Sequence, residues 1–291
     1  DGVDTVYTHA ELEGMAGMQG VLAKVQGPHG PVLLSHRSDI VPSVSDLDKV
    51  PLELQHLQAR HIVGGIEIST SRGCIHKCTF CSIMGRESYN ARSAEGIFEL
   101  LGRYEARFEE LFGEDVPHNA YRVHFSDDDF ACDPQRAAAF FSRLTDTPFR
   151  LSSIQVSVAD LCRRQDGVLL PEISPELVDT IRPDCFADAQ VHAPAEDYVA
   201  DHKSRRWSSF LAIGVETFAR KELVRLGKGY DVEHIRAVVH ALALRGLHMD
   251  AYFIQSNTDT TAEDLLEGID ELCRLKMAHP YHFHIRFPIV P

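Results

Sequence analysis

The sequence predicts an α/β protein with a parallel sheet and crossover helices, closed as an open or partial barrel. Three observations point there. Short apolar strands alternate with helical stretches along the chain. The helical stretches carry their own start and stop residues. Six strand-helix units follow one another in one direction, and ligands of such sheets bind at the carboxyl ends of the strands.

The elements run in order. "GIEISTS" (65–71) reads as the first strand and ends at a cysteine-rich loop. Ser93 is the expected N-cap of a helix whose apolar face is Ile97, Leu100, Leu101, Tyr104, Phe108 and Leu111. "YRVHFS" (121–126) is the second strand, and Asp133-Pro134 opens the next helix as cap and first-turn proline. Phe140, Phe141 and Leu144 are that helix's buried face. "FRLSSIQVSV" (149–158) is the third strand, and "SPELVDTIR" (174–182) is a short helix. "SFLAIGV" (209–215) is the fourth strand, with helices over about 219–226 and 231–245 and a stop at Gly246. "HMDAYFIQ" (248–255) is the fifth strand. Thr261 caps a helix carrying Leu265, Leu266, Ile269 and Leu272, and "YHFHIRFPI" (281–289) is the sixth strand.

Two segments fall outside this rhythm. Residues 1–60 read as a lead-in with "SVSDLDKVPLE" as linker, which leaves 61–291 as the barrel. Residues 183–208 form a long connection of the kind that often serves as a functional lid. No internal repeat or low-complexity tract is present. The chain opens without a Met and stops on "HIRFPIVP", so the expectation is a piece of a longer or processed parent.

Composition narrows the function classes. Hydrophobic residues make up 44% of the chain, enough for a sizeable core. No apolar run approaches ~18–20 residues, so no membrane span is expected. The formal net charge of -14 argues against a nucleic-acid partner, which usually demands a basic face. The run Lys203, Arg205, Arg206 reads as a solvated loop. Seven cysteines are an odd number. Cys132, Cys162, Cys185 and Cys273 are isolated and read as small buried hydrophobes, a pattern that fits a reducing cytoplasm.

The other three cysteines lie in "SRGCIHKCTFCSIMG" (71–85). Cys74, Cys78 and Cys81 have C-x3-C-x2-C spacing. Zinc would want a fourth ligand, and His76 inside the loop is awkwardly placed for it. A thioredoxin-type redox motif would use Cys78 and Cys81 and leave Cys74 unexplained. Thiolates also hold iron–sulfur clusters. Three thiolates on a four-iron cluster leave one iron open to bind a small molecule.

The stretch resembles the signature of the radical S-adenosylmethionine superfamily, CxxxCxxC with an aromatic residue before the last cysteine, a slot filled here by Phe80. "IGVETFARKELVRLGKGY" (213–230) is similar to the family's "GxE…L…KG" segment. "RVHFSDDDF" (122–130) is similar to the end of the second strand in the cobalamin-binding branch. The lead-in "DGVDTVYTHAELEGM" followed by "DLDKVP" looks like the tail of a cobalamin-binding domain and its linker. The Rossmann-like body of such a domain is not among these residues.

The resemblance implies a partial (β/α)6 TIM-like barrel and an oxygen-sensitive 4Fe-4S cluster on Cys74, Cys78 and Cys81. It implies that the open iron chelates S-adenosyl-L-methionine. An electron from a donor such as flavodoxin or ferredoxin then yields a 5'-deoxyadenosyl radical, which abstracts hydrogen from a small-molecule or peptide substrate. Gly73 would let the loop turn tightly. Asp127, Asp128 and Asp129 occupy the spot that meets the methionine amino group, although the branch carries Asn where Asp129 stands. The same three carboxylates could instead cap the next turn or bind a cation. Glu216 would meet the ribose or the methionine end, Lys228 the methionine carboxylate, and Ser157 the ligand more distantly. The family's "G-x-P-G-E-T" turn is Ser256 to Thr261 here, and only Thr261 matches, so adenine must be held differently or the turn serves substrate. His282 and His284 alternate on the last strand as candidates for the substrate side. Two alternatives stay open: a cobalamin-dependent methyltransferase whose cobalamin domain is missing or in trans, with cobalamin as a candidate cofactor, and a non-catalytic iron–sulfur module.

Overall fold

The computed structural model describes residues 47–50, 53–62, 64–81, 89–187, 210–254, 256 and 259–287, together with two strands between residues 22 and 35. The chain forms two compact units, Asp1–Ser45 and Asp46–Pro291. In the first, β1 (Leu22–Gly27) and β2 (Gly30–Ser35) pair antiparallel.

The second unit is built on six parallel strands in sequential order. These are β3 (Ile66–Ile68), β6 (Arg122–Phe125), β7 (Arg150–Val156), β10 (Phe210–Glu216), β11 (Met249–Phe253) and β12 (Phe283–Arg286). This is the α/β partial barrel that the alternation predicts. One face of each strand is apolar, with Ile66, Val123, Leu151, Ile213, Ala251 and Phe283 among its buried residues, packed under the helices. The other face carries His124, Gln155 and Tyr252, which line a cavity. A period-two pattern with one polar side therefore leaves the barrel hollow, not filled.

The helices begin where their caps predict. Ser93 accepts from Gly96 N at the start of α1 (Ala94–Phe112), and Asp133 accepts from Arg136 N at the start of α2 (Pro134–Leu144). α1 buries Ile97, Leu100, Leu101, Tyr104 and Phe108, while α2 buries Phe140, Phe141 and Leu144. The linker reaches this layer through Asp48, whose carboxylate accepts from Ser93 N at 3.1 Å.

Several elements differ from the sequence reading. The first strand is short, and Ser71–Arg72 (β4) leaves it to pair antiparallel with Asn90–Ala91 (β5). After β7 and the short α3 (Val158–Leu161), an unpredicted hairpin joins β8 (Cys162–Gln165) to β9 (Val168–Ile173). Its turn is Asp166-Gly167, both at positive φ, as a two-residue hairpin turn requires. The predicted helix over 174–182 is only α4 (Pro175–Val178). Downstream lie α5 (Arg220–Arg225), α6 (Val232–Leu244) and α7 (Ala262–Ala278), the last capped by Thr261. Of the expected α7 face, Leu265, Leu266 and Ile269 are exposed. Cys132, Cys162 and Cys185 are buried as expected, whereas Cys273 is exposed. The run Lys203–Arg206 and most of the 183–208 connection lie outside the described residues. Among the described residues no helix is long and apolar enough to cross a membrane.

Candidate cofactor site

The cysteine loop lies directly after β4, at the carboxyl ends of the strands. Gly73 has φ 84°, a conformation open to glycine without steric cost. Its N–H donates to Asp128 Oδ2 at 3.0 Å, which ties the loop to the end of β6. On its far side Thr79 N donates to Leu226 O at 2.9 Å, and Thr79 Oγ1 donates to Arg225 O at 2.8 Å. Gly227, at φ 65°, faces Lys77 O so closely that a Cβ would stand 3.1 Å from it. The loop is thus clamped between the end of β6 and the C-terminal end of α5. Cys74, Cys78 and Cys81 are of intermediate exposure.

The three aspartates do three different things. Asp127 is buried and accepts from Thr70 N at 2.5 Å, from Ser71 N at 3.0 Å and from the Thr70 hydroxyl. Arg136, also buried, stands 3.7 Å from it and donates to Phe130 O and Arg92 O. Asp127 therefore fixes the backbone that leads into the cysteine loop. Asp128 holds Gly73 and lines the cavity. Asp129 caps the turn Phe130–Cys132 by accepting from Ala131 N at 3.1 Å. Burial, with Asp160 beside it, raises the Asp129 carboxyl well above its usual range.

Glu216, Lys228 and Phe80 come together beside Cys78. Lys228 Nζ is 2.9 Å from Glu216 Oε1, and both side chains are nearly buried. The same ammonium stands 5.3 Å from the Phe80 ring centroid and 5.8 Å from that of Tyr230, within reach of cation–π attraction. Tyr230 donates to Gly214 O at 2.6 Å. Glu216 itself has φ 66°, an uncommon conformation for a non-glycine residue and one found at functional sites.

Ser157 accepts from Ala159 N at 3.3 Å and caps α3. His282 lies in the turn before β12, and His284 is on it, paired in register with Asp250. His248 packs against both, tilted on His282 at a centroid distance of 5.3 Å and stacked on His284 at 5.7 Å. They gather where β11 and β12 begin, at the opposite end from the cysteine loop, and neither lines the described cavity.

Sequence spacing does not reveal two further neighbours of the loop, Cys132 and Asp160. Cys132 Sγ is 3.9 Å from Cys74 Sγ, while His76 Nε2 is 2.7 Å from Asp160 Oδ2 and 3.6 Å from Asp129 Oδ2. Contact with the Cys132 thiol outweighs burial and lowers Cys74 to about 6. Burial opposes protonation of His76, but the Asp160 contact prevails and raises it. Burial raises Cys78.

A cavity of about 1020 Å³ adjoins this constellation. Arg122, His124, Ser153, Gln155, Asp128 and Tyr252 are among the groups lining it. His124 and Ser153 hydrogen-bond to each other across β6 and β7.

Comparison with known proteins places this fold. No protein-family model and no curated protein matches the sequence. Among solved structures, the cobalamin-dependent S-adenosylmethionine radical enzyme OxsB, with aqua-cobalamin and S-adenosylmethionine bound, is similar at a TM-score of 0.52 and 18% identity. That match covers 72% of this chain and 26% of that one. The radical S-adenosylmethionine methyltransferase TsrM from Kitasatospora setae, with tryptophan substrate and a SAM analog bound, is similar at a TM-score of 0.56 and 15% identity. It covers 92% of this chain and 46% of that one. The chain has the fold of radical S-adenosylmethionine enzymes. It spans less than half the length of these neighbours.

Proposed function

We propose that the chain is a radical S-adenosylmethionine enzyme that binds a 4Fe-4S cluster through Cys74, Cys78 and Cys81. One observation carries the reading: three half-buried cysteines at C-x3-C-x2-C spacing on one clamped loop at the carboxyl ends of a six-stranded parallel partial barrel. The donor set suits the group, because thiolates are the natural ligands of iron–sulfur clusters. Three of them leave one coordination position for S-adenosylmethionine. When bound and reduced, the cluster supplies the electron that splits the sulfonium to methionine and a 5'-deoxyadenosyl radical.

The chain's own groups do the rest. Gly73, Thr79 and Gly227 hold the loop's shape. Phe80 and the buried Lys228–Glu216 pair present an apolar face, a cation and a carboxylate beside Cys78. The cation suits the methionine carboxylate and the carboxylate suits ribose hydroxyls or the methionine ammonium. Asp127 positions the loop from beneath. Asp127 and Asp128 both border the cavity. Substrate, a small molecule or a peptide, enters that cavity, whose polar wall of His124, Ser153 and Gln155 can orient it by hydrogen bonds. A flavodoxin or ferredoxin supplies the electron. Reconstitution with iron and sulfide under anaerobic conditions, followed by S-adenosylmethionine and dithionite, tests this. The expected product is 5'-deoxyadenosine from the native chain and none from Cys78→Ala.

A second reading is a cobalamin-dependent methyltransferase. It is supported by the resemblance of "RVHFSDDDF" and the lead-in to the cobalamin branch, and by fold similarity to OxsB and TsrM. With the cobalamin-binding domain supplied in trans, protein incubated with hydroxocobalamin and freed of excess would retain corrinoid absorbance under this reading. Loss of all corrinoid with that domain present would leave hydrogen abstraction as the reaction.

A further inference from the structure

Beside the loop the structure gathers a second donor set that shares only Cys74 with the cluster. Among the described residues, one group of metal-ligating side chains has all its ligand atoms within 4.8 Å of one another: Cys74, His76, Asp129 and Cys132. Two come from the cysteine loop and two from the turn after β6, so the set exists only in the folded chain. Asp129 and Cys132 are buried, and Cys74 and His76 are half-buried.

The spacing selects the occupant. With Zn–S bonds of about 2.3 Å and tetrahedral angles, two thiolates on one ion stand about 3.8 Å apart. The Cys74 and Cys132 sulfurs are 3.9 Å apart. Thiolates on different irons of a cubane must stand farther apart than two thiolates on one ion, so this pair does not match two cluster positions. Two sulfurs, one imidazole nitrogen and one carboxylate oxygen complete a tetrahedron of the kind zinc takes. His76 Nε2 also bonds the buried Asp160 at 2.7 Å, a contact that zinc on that nitrogen would replace.

We propose that Cys74, His76, Asp129 and Cys132 form a mononuclear zinc site that excludes the four-iron cluster, because both need Cys74. The exclusion rests on the cluster assignment above, whereas the zinc site itself does not. Zinc held here would block cluster assembly, and iron and sulfide loading would have to displace it.

The test uses the whole cluster-free chain with Co²⁺ as spectroscopic probe and Zn²⁺ as competitor. One Co²⁺ per chain is expected, with thiolate-to-cobalt charge transfer and intense tetrahedral d–d bands, displaced by Zn²⁺. Cys132→Ala is expected to weaken Co²⁺ binding at least tenfold yet to load iron and sulfide as the native chain does. Cys81→Ala is expected to do the reverse, holding Co²⁺ within about twofold while losing the cluster. Equal loss of Co²⁺ in both variants, or loss of the cluster in Cys132→Ala, would overturn the proposal. X-ray absorption of the zinc-loaded native chain needs no variant to fold: two sulfur scatterers are expected, and three would contradict the site. A native chain that takes Co²⁺ as described but never an iron–sulfur cluster would defeat the enzyme reading and leave the zinc site standing. Cluster formation without Co²⁺ binding would do the opposite.

Discussion

The Lys228 ammonium lies 2.9 Å from the Glu216 carboxylate, and the pair is almost fully shielded from water by the end of β10 and the cysteine loop. A nearly buried ion pair beside Cys78 adds little net stability, since desolvation offsets most of its attraction. Its position is better explained by what it can bind. Glu216→Gln removes the charge and keeps the shape. In reconstituted protein, this substitution is expected to leave iron content unchanged and to weaken S-adenosylmethionine binding about tenfold to hundredfold. That is the range for one hydrogen bond to a charged group, about 1.5–3 kcal/mol. Equilibrium dialysis against labelled S-adenosylmethionine reads it, and unchanged affinity would make Glu216 a structural residue.

The thiols of the cluster-free chain are expected to differ in reactivity. Cys74 is lowered to about 6, chiefly by the Cys132 thiol, whereas burial raises Cys78. The thiolate is the nucleophile, so at pH 7 Cys74 is mostly reactive and Cys78 is not. Iodoacetamide followed by peptide mass spectrometry should label Cys74 first, at a rate that falls as pH drops through about 6. Cys132→Ala should move that midpoint upward, and equal labelling of Cys74 and Cys78 at pH 7 would contradict the geometry.

Asp127 is a stability residue. Its carboxylate holds Thr70 N and Ser71 N and faces the buried Arg136. Asp127→Ala removes the carboxylate that faces that guanidinium and leaves two amides short of an acceptor, with an expected loss of about 3–5 kcal/mol. Urea unfolding of the cluster-free chain measures it. A loss under 1 kcal/mol would show that the loop is held elsewhere.

Gly227→Ala tests the clamp on the other flank. A left-handed conformation costs a residue with a Cβ about 1–2 kcal/mol, and the new Cβ would press on Lys77 O at 3.1 Å. The expected result is a lower midpoint of thermal unfolding together with less iron retained per chain after gel filtration. Native-like retention would mean that the loop does not depend on this contact.

Much of this was readable from the chain because it is local. Ser93, Asp133 and Thr261 act as caps where side-chain type and the following apolar pattern place them. The hairpin at 162–173 has a local signal too, the Asp166-Gly167 dipeptide. Leu265, Leu266 and Ile269 keep helical spacing yet stay exposed, because periodicity marks a face without saying what covers it. The Cys74–Cys132 and His76–Asp160 contacts join residues 58 and 84 positions apart. Only the parallel order of the strands brings them together, and no spacing rule within one segment contains that information. His282 and His284 show the converse: alternation placed them on one side of a strand, but not at which end of the barrel.

The central claim is an iron left open by three cysteines and available to S-adenosylmethionine. Electron paramagnetic resonance of the dithionite-reduced, reconstituted chain tests it most directly, recorded with and without S-adenosylmethionine. The account predicts a reduced 4Fe-4S signal in the native chain whose g-values shift when S-adenosylmethionine is added, and no such signal in Cys74→Ala, Cys78→Ala or Cys81→Ala. A signal that S-adenosylmethionine leaves unchanged, in protein with full iron and sulfide, would contradict it.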